Sequence, residues 1–306
     1  MIRIPIDTDN ATIEAGGANV TVTNVRKVFF PKTGATKGRL LQYYSDVSTF
    51  LLPHIEKRAM VMKRYPHGAN GEFFFMKRTP TPHPDWLQTC RIEHRSGNTI
   101  DFPMANDLAS LLWIVNLGCI DLNQWYATCD DIDRPDYLHF DLDPGEAPFE
   151  RVREVALLVR DGLAGVGLSS FAKTSGSKGI HVYVPIVRGP LQKEVWTFAK
   201  AFAQAVARHD TALATAEYKK EKRPPGRVLV DYNQNRWGST LASVYSVRPT
   251  PLATVSAPVT WDEVERGIEI EDFRIDNMLE RIATAGDLWS PLAAEKGRCD
   301  LRPLLD

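Results

Sequence analysis

One segment, residues 137–146 (YLHFDLDPGE), restricts the fold more than any other part of the chain. Apolar and polar residues alternate in it with the period of a β-strand, and Pro144-Gly145 ends the strand. Because alternate side chains point to opposite faces, the apolar residues pack into the core and the polar ones share the other face. These polar residues are His139, Asp141 and Asp143. The sequence therefore predicts a sheet with one buried face and one face that carries carboxylates.

Elsewhere the predicted strands and helices do not alternate strictly. Helical spacing predicts helices from Thr36, as N-cap, to about residue 52, from Asn106 to about 117, and over 149–163, 192–208, 261–266 and 276–285. Strand patterns occur at 59–65, 72–77, 171–173, 180–187, 228–232 and 241–247, with a hairpin turn at Ser96-Gly97-Asn98. We therefore expect an α/β (α+β) fold with mixed or antiparallel central sheets flanked by helices, not a doubly wound parallel sheet.

Composition is that of an ordinary globular protein, with 306 residues, 43% hydrophobic and 25% charged. This length suits one large domain or two fused lobes. No apolar run is long enough to cross a bilayer and the N-terminus lacks a signal-peptide pattern, so we expect a cytoplasmic protein with no membrane partner. The four cysteines, without a CxxC pair, are expected to be reduced thiols. They are Cys90, Cys119, Cys129 and Cys299.

The formal net charge of −1 weighs against a general polyanion binder, whose surface is usually basic. It does not exclude nucleic acid, because basic residues can gather on one face. Several basic clusters are present, and each taken singly is typical of a solvated surface. They are Lys57-Arg58, Lys63-Arg64, Lys77-Arg78 and the stretch from Lys219 to Arg227.

A third acid, Asp231, ends the apolar strand RVLVD and joins Asp141 and Asp143 as a candidate metal ligand. Same-face carboxylates repel each other unless a cation lies between them, and hard divalent ions accept such oxygens. Three acids at strand ends can hold two ions about 3.5–4 Å apart, as in phosphoryl transfer. The alternatives are a solvated strand face and a strand-end turn residue. Sequence spacing does not show that Asp231 meets the other two acids.

Residues 173–186 (KTSGSKGIHVYVPI) have the composition of a phosphate-binding turn. Two glycines let backbone N–H groups approach an anion, Ser175 and Ser177 offer hydroxyls, and Lys178 supplies charge. His181 opens the next strand and can donate to a phosphate oxygen. The order GxxxxGK[ST] of a Walker loop is absent. The alternative is a β-hairpin with a flexible polar tip.

Four motifs in chain order, FDLDPG, TSGSKGIH, VDYNQN and YSVR, resemble those of the archaeo-eukaryotic primase superfamily. The nearest resemblance is to the polymerase domain of bacterial DNA ligase D and its stand-alone primase-polymerase relatives. It runs from about Val20 to Leu288. It implies an N-terminal arm (1–19), a primase-polymerase catalytic domain of two packed lobes (20–290) and a C-terminal tail (291–306).

The resemblance also implies roles for individual residues. The catalytic, metal-binding acids are Asp141, Asp143 and Asp231. The residues at the incoming nucleotide are Ser175, Lys178, His181, Gln234, Arg248 and Asn123. The residues that bind DNA are Asn24, Lys27 and Lys37 at a 5′-phosphate, Lys63 at a further contact, and Phe74 and Phe75 stacked on the template. Without the resemblance, Phe73–Met76 would be predicted to be a buried strand, because it is a continuous apolar run.

The chain departs from the family pattern at several positions. Asn123, in LGCIDLNQW, stands where the family often has a histidine; asparagine can donate but carries no charge, which implies a changed nucleotide affinity or sugar preference. Relatives often have a lysine in the loop after Asp231, where this chain has Ser239 or Thr240 with Arg236 nearby. The zinc-binding cysteines of the wider primase group are absent, so the resemblance leaves primer synthesis open.

The leading hypothesis is a template-directed DNA/RNA nucleotidyltransferase with two Mn²⁺ or Mg²⁺ ions and NTP or dNTP substrates, in which ribonucleotides are accepted and preferred. It would fill short gaps or extend ends in DNA repair, by non-homologous end joining or excision repair, in the bacterial nucleoid. The implied partners are DNA with a 5′-phosphate at a gap or break, a DNA ligase and an end-binding protein. Two alternatives are a glycosyltransferase with a metal-binding DxD and a non-catalytic adaptor that bridges DNA ends.

Overall fold

The computed structural model describes residues 2–94 and 96–305, and within them it contains seven α-helices and sixteen strands. The helices are α1 (Lys37–Ile55), α2 (Leu108–Asn116), α3 (Phe149–Gly165), α4 (Gln192–His209), α5 (Trp261–Arg266), α6 (Met278–Ala285) and α7 (Ser290–Ala293). The strands are β1 (Asn10–Ala15), β2 (Ala18–Thr23), β3 (Val28–Phe30), β4 (Ala35–Thr36), β5 (Met60–Arg64), β6 (Phe74–Met76), β7 (Thr89–Glu93), β8 (Thr99–Pro103), β9 (Cys119–Gln124), β10 (Tyr137–Asp143), β11 (Phe171–Thr174), β12 (Ile180–Pro185), β13 (Ala214–Thr215), β14 (Val228–Asp231), β15 (Leu241–Ala242) and β16 (Pro258–Val259).

The chain divides into two compact units that are interleaved in sequence. The first unit comprises Met1–Asp130, Thr240–Val255 and Phe273–Gly286. The second unit comprises Asp131–Ser239, Ser256–Asp272 and Asp287–Asp306. Each unit has a sheet and a hydrophobic core of its own. Over residues 2–94 and 96–305, no helix is long and apolar enough to cross a membrane.

The first unit is built on an antiparallel four-stranded sheet in the order β15-β9-β5-β6, with three separate hairpins, β1-β2, β3-β4 and β7-β8. Helix α1 has Thr36 as its N-cap, as the sequence predicts, and the Thr36 hydroxyl accepts the Arg39 N–H at 3.2 Å. Two buried tyrosines of α1 donate to backbone carbonyls at 2.8 and 2.6 Å, which fixes the helix in the core. They are Tyr43, to Tyr245, and Tyr44, to Ile120.

The second unit is built on a six-stranded sheet in the order β13-β14-β10-β12-β11-β16. Its strands are antiparallel except for the parallel pair β13-β14. Helices α3 and α4 pack against this sheet and against each other. Phe140 of β10 meets Phe202 of α4 with ring centroids 5.1 Å apart, so the apolar residues of β10 face the helices as predicted. The predicted mixture of antiparallel sheets and helices is confirmed.

Several local predictions are wrong. Helix α2 is capped by Asp107, whose carboxylate accepts the Ser110 N–H at 2.8 Å, while Asn106 accepts the Lys57 N–H instead. The strand predicted over 241–247 ends at Ala242. Residues 10–15 of the predicted arm form β1, because Ile13 and Ala15 alternate onto a buried face. Local pattern does not reveal which of two adjacent polar residues finds a partner across the fold.

Two further expectations fail for reasons of tertiary structure. The run Phe73–Phe75, predicted to be core on apolar character alone, is exposed, at 50%, 43% and 62%. Cys90 and Cys129, expected to be reduced thiols, form a disulfide with their Cα atoms 5.9 Å apart. Cys119 and Cys299 are free thiols. The cysteines that pair are 39 residues apart, so their proximity depends on how β7 packs and cannot be read from spacing.

Candidate active site and nucleic-acid contacts

Four ionisable residues form a row across the second unit's sheet, one on each of four adjacent strands. Asp141 on β10 lies directly opposite Asp231 on β14 and opposite His181 on β12, and His181 lies opposite Lys173 on β11. We call these four residues, Asp231, Asp141, His181 and Lys173, the transverse row. The pairing register thus aligns two acids, a histidine and a lysine from four strands, on the sheet face opposite to Phe140.

Of the two acids of the transverse row, Asp231 is the buried one, and its environment disfavours the charged form. Burial, the largest cause, and the negative charge of Asp141 together raise the pKa of Asp231, to about 6. Hydrogen bonds oppose this effect, since the Asp231 carboxylate accepts the Asn233 N–H at 2.7 Å and the Gln234 amide at 3.3 Å. Gln234, predicted to line the nucleotide pocket, contacts Asp231, one of the predicted catalytic acids, in this structure. A cation near this pair would relieve the repulsion between the carboxylates.

The third acid, Asp143, shares the face of Asp141 but its carboxylate is turned to Arg223, at 3.4 Å, and to the Gly145 N–H, at 3.0 Å. Among residues 2–94 and 96–305, no three His, Cys, Asp or Glu side chains are grouped so that they could hold a metal ion as they stand. Asp141 and Asp231 fit a hard divalent cation by donor type and position. Asp143 could join them only after its carboxylate leaves Arg223, so its role as a ligand stays a prediction.

The turn between β11 and β12 is organised by Ser175. Its Oγ accepts the backbone N–H groups of Ser177, Lys178 and Gly179 at 3.1, 3.1 and 2.9 Å. These N–H groups, expected to approach an anion, are directed at Ser175 instead. The side chains of Ser177 and Lys178 are exposed at the tip. The turn therefore offers a lysine charge to an anion, on a backbone that Ser175 holds in shape.

Two residues that were not predicted as site residues, Lys173 and Ser256, extend the contacts of His181. Lys173 is buried and its Nζ lies 2.7 Å from His181 Nδ1, while His181 Nε2 lies 3.3 Å from Asp141 Oδ1. Ser256 accepts from Lys173 at 2.7 Å. His139 is fully buried and stacks on Tyr183 at 5.1 Å, and burial lowers its pKa well below the ordinary histidine value. His139 therefore packs the face and does not serve as a charged group.

A buried carboxylate in the first unit joins two of the predicted site residues. Asp121 on β9 is 1% exposed, and its Oδ2 lies 3.7 Å from both Lys63 Nζ and Arg248 Nη2. Burial raises the pKa of Asp121, and the positive charges of Arg248 and Lys63 oppose that shift. Asn123, two residues along the same strand, donates to the Asp121 carbonyl at 3.2 Å. The alternation of β9, which puts residues 121 and 123 on one face, was the only sequence signal for Asp121.

Aromatic rings surround the Lys63 ammonium, namely the exposed rings of Phe73 and Phe75 and the buried ring of Tyr65. Its Nζ lies 4.2 Å from the ring centroid of Phe73, 5.3 Å from Tyr65 and 5.9 Å from Phe75. Arg64 lies over Phe74, with 5.2 Å between the guanidinium carbon and the ring centroid. Exposed rings beside cations are a suitable platform for unpaired bases. The exposure of Phe74 and Phe75 agrees with the role that the resemblance implies for them.

The three residues predicted at a 5′-phosphate lie around the start of α1. Asn24 adopts a left-handed φ of 54° immediately after β2. Lys37 Nζ donates to the Thr23 carbonyl and Lys27 Nζ to the Pro66 carbonyl, each at 2.7 Å. Burial, together with the positive charges of Lys27 and Arg64, lowers the pKa of Lys37 to about 8. Two lysine side chains thus place positive charge at the start of α1, where the 5′-phosphate is predicted to bind.

Comparison with known proteins agrees with these features. The solved polymerase domain of Mycobacterium tuberculosis ligase D, in complex with DNA, matches with a TM-score of 0.84 and 34% identity, over 90% of this chain and 98% of that chain. The multifunctional non-homologous end joining protein LigD of Mycolicibacterium smegmatis is 35% identical over 279 residues, or 90% of this chain and 36% of that protein. The bifunctional LigD of Bacillus subtilis is 31% identical, over 86% of this chain and 42% of that protein.

The matches show which family the chain resembles and how much of each relative it covers. The chain spans between about a third and a half of the length of the LigD proteins that it matches. The sequence model for LigD, primase-polymerase domain, matches residues 36–289. The predicted resemblance and the predicted enzyme class, a DNA-directed nucleotidyltransferase, are thereby confirmed. By sequence and by fold, this chain belongs to the family of LigD primase-polymerase domains.

Proposed function

We propose that this protein is a template-directed polymerase that fills short gaps or extends ends during DNA repair, by end joining or excision repair. The observation that carries the proposal is the transverse row, in which register aligns Asp231, Asp141 and His181 on one sheet face. In the proposed reaction the 3′-hydroxyl of a primer attacks the α-phosphate of a bound nucleoside triphosphate, and pyrophosphate leaves. Family membership supports this chemistry for the chain.

The proposed metal ligands are Asp141 and Asp231, with Asp143 after release of Arg223. Two divalent ions held by these acids would neutralise charge on the attacking and leaving oxygens. Carboxylate donors suit Mg²⁺ and Mn²⁺, and we propose that Mn²⁺ supports activity well. Ser175, Lys178, His181, Gln234 and Arg248 are the proposed contacts of the triphosphate, with Asn123 as a neutral donor near the sugar or base. We further propose that ribonucleotides are accepted and preferred.

The proposed DNA partner is a gap or break with a 5′-phosphate. Lys27 and Lys37 provide two positive charges for that phosphate, with Asn24 at the turn between them and β2. Phe74 and Phe75 provide exposed rings for template bases, and Lys63 provides a cation between rings. A DNA ligase and an end-binding protein are the proposed partners of the repair reaction, which takes place in the bacterial nucleoid.

A primer-extension assay tests the proposal. The substrate is a duplex with a short 5′-phosphorylated gap, supplied with Mg²⁺ or Mn²⁺ and with ribo- or deoxynucleotides. Replacing Asp141 and Asp143 together by alanine is expected to abolish extension, since loss of the metal ligands removes the main source of transition-state charge stabilisation. Binding to the gapped DNA should survive. The matched control is Glu154→Ala with Asp161→Ala, which removes two exposed acids from α3 of the same unit.

The outcomes separate the candidate functions. Extension by the wild type and by the α3 control, and none by the double variant, supports the proposal. Full extension by the Asp141/Asp143 variant contradicts it. Binding to gapped DNA without any incorporation by the wild type favours a non-catalytic adaptor. Turnover of nucleotide sugars without incorporation favours a glycosyltransferase.

A further inference from the structure

The second unit contains a buried lysine that the proposed reaction does not use. Lys173, on β11, is 1% exposed and is among the largest fully buried side chains within the described part of the chain. A lysine is rarely buried this completely unless its ammonium group is satisfied by partners. Its Nζ lies 2.7 Å from His181 Nδ1 and 2.7 Å from Ser256 Oγ.

The direction of these hydrogen bonds follows from the chemistry of the groups. The Ser256 hydroxyl donates to the Thr174 carbonyl at 2.7 Å, so its oxygen accepts from Lys173. In its charged form Lys173 has three N–H hydrogens and no lone pair, so it can only donate to the imidazole. His181 Nδ1 must therefore present its lone pair to Lys173. A neutral imidazole carries one hydrogen, which is then on Nε2.

The tautomer decides what His181 presents to the acids. Its Nε2 lies 3.3 Å from Asp141 Oδ1, so an Nε2–H donates to that carboxylate. The opposite tautomer would direct a nitrogen lone pair at the carboxylate oxygens, which is repulsive. Hydrogen bonds thus run in one direction along the transverse row, from Lys173 to His181 and from His181 to Asp141. An Nε2–H is also the form that can donate to a phosphate oxygen.

We propose that Lys173 is a positioning residue that holds His181 in the Nε2–H tautomer, so that His181 acts only as a hydrogen-bond donor towards Asp141 and an incoming triphosphate. The triphosphate part of this inference rests on the proposed function. The tautomer part rests on contacts within the sheet alone. In this role the effect of Lys173 passes through its contact with His181.

Nitrogen NMR measures the tautomer directly. In protein with ¹⁵N-labelled histidine, at mildly alkaline pH and without nucleotide, we expect the His181 signals of an unprotonated Nδ1 and a protonated Nε2. Replacing Lys173 by methionine, which has a similar length and no donor, should let the Nδ1–H form appear. The control is Lys193→Met on the exposed surface of α4, which should leave the His181 signals unchanged.

Steady-state kinetics gives a second test, because a purely structural role for Lys173 would not change KM and kcat in the same pattern. Lys173→Met should raise KM for the nucleotide about tenfold, with a smaller change in kcat, as expected for a group that orients a binding residue. In a double-mutant cycle, adding Lys173→Met to His181→Ala should cause no further loss, because the two residues act as one unit. The control lysine variant should behave like the wild type.

The results test two hypotheses separately, the Nε2–H tautomer of His181 and the proposed polymerase function. A hydrogen on His181 Nδ1 in the wild type overturns the inference, and this test stands even if the methionine variant does not fold. Retention of the Nε2–H form in a folded Lys173→Met, or losses that multiply in the cycle, also overturns it. A wild-type protein that extends no primer contradicts the proposed function but leaves the spectrum as a test of the tautomer.

Discussion

At the scale of single residues, the charged side chains of this protein differ most in their exposure to solvent. Lys37 and Asp121 are both nearly fully buried. Burial lowers the pKa of Lys37 and raises the pKa of Asp121, so it favours the neutral form of each side chain. Arg26 and Asp9, which form an ion pair of 2.9 Å, are exposed to solvent. Because buried charges respond strongly to their neighbours and exposed pairs do not, the buried groups are where a single substitution should have a large effect.

We predict that recognition of the 5′-phosphate, if it uses Lys37 as proposed, depends on pH. Its pKa of about 8 in the free protein means that the side chain is charged below that pH and neutral above it. Only the charged form attracts a phosphate, so the affinity gained from a 5′-phosphate should fall as pH rises from about 7 to about 9, by up to tenfold per unit. Binding of gapped DNA with and without the 5′-phosphate, compared across this range, measures the effect.

Lys37→Arg is the control for this titration, because arginine stays charged throughout the range. If the arginine variant folds, its preference for the 5′-phosphate should be nearly independent of pH. A wild-type preference that is equally constant would show that Lys37 does not contact the phosphate or does not titrate here.

Asp121 should matter for stability, because it separates two cations. In Asp121→Asn the side chain keeps its shape but loses its charge, which leaves Lys63 and Arg248 facing each other without a counter-ion. Both cations are partly exposed to solvent. We therefore expect the free energy of unfolding to fall by about 2 kcal/mol, which is less than the full cost of breaking a buried ion pair. Urea denaturation measures it. Asp9→Asn, which breaks the exposed pair with Arg26 in the same unit, should leave the midpoint unchanged; equal midpoints for both variants would contradict the prediction.

The site residues that could be predicted from the sequence stand in local motifs, and those that could not be predicted depend on partners elsewhere in the fold. Asp141, Asp143 and His181 stand in motifs with local signals, so they could be named in advance. Lys173 stands in no recognisable site motif and Asp121 only in the alternation of β9, because their importance comes from partners 8 and 127 residues away, respectively. Arg223 was visible only as part of a basic cluster, and nothing in that cluster indicated an ion pair with Asp143.

At the scale of elements, the pairing register of the strands brings the residues of the candidate site together. Strand boundaries such as Tyr137–Asp143 and helix boundaries such as Trp261–Arg266 could be predicted, because periodicity and turn residues act over short distances. The order β13-β14-β10-β12-β11-β16 could not, since it depends on pairings between distant segments. Sequence therefore indicated which strands carry the acids and the histidine, while only the fold shows that they are neighbours.

Gly179 permits the close approach of β12 to β10. A Cβ at this position would lie 2.2 Å from the Leu142 carbonyl oxygen, beside the pair Leu142–Ile180. Gly179→Ala must therefore push the strands apart, and we expect a loss of about 1–3 kcal/mol in the free energy of unfolding, as for other overpacked sites. Nucleotide incorporation should fall as well, because Asp141 and His181 are adjacent to the disturbed pair.

Urea denaturation of Gly179→Ala beside Gly189→Ala measures this effect. A Cβ at Gly189 would meet no atom within 4 Å, so this matched glycine in the same unit should tolerate alanine with little change in stability. Equal midpoints for the two variants would show that the strands accommodate the extra methyl group and that the close approach is not required.

At the scale of the whole molecule, a net charge of −1 gives no indication of DNA binding. The distribution of charge matters more. Lys27 and Lys37 lie together at the start of α1 in the first unit, while several acids of the second unit are gathered on one sheet face. A protein of this kind should bind DNA through a few localised phosphate contacts and not through a general attraction.

Salt dependence of DNA binding tests that picture. The slope of log K against log salt should be about −0.9 for each phosphate that the protein neutralises, and Lys27→Ala should make it shallower by about one contact on DNA with a 5′-phosphate. On the same gapped DNA without that phosphate, the wild type and Lys27→Ala should have equal slopes, because the contact is then missing in both. Lys296→Ala, an exposed lysine in the C-terminal tail, should match the wild type on both substrates. A Lys27 effect of the same size on both DNAs would show that Lys27 binds elsewhere on the backbone and that the 5′-phosphate site has been wrongly placed.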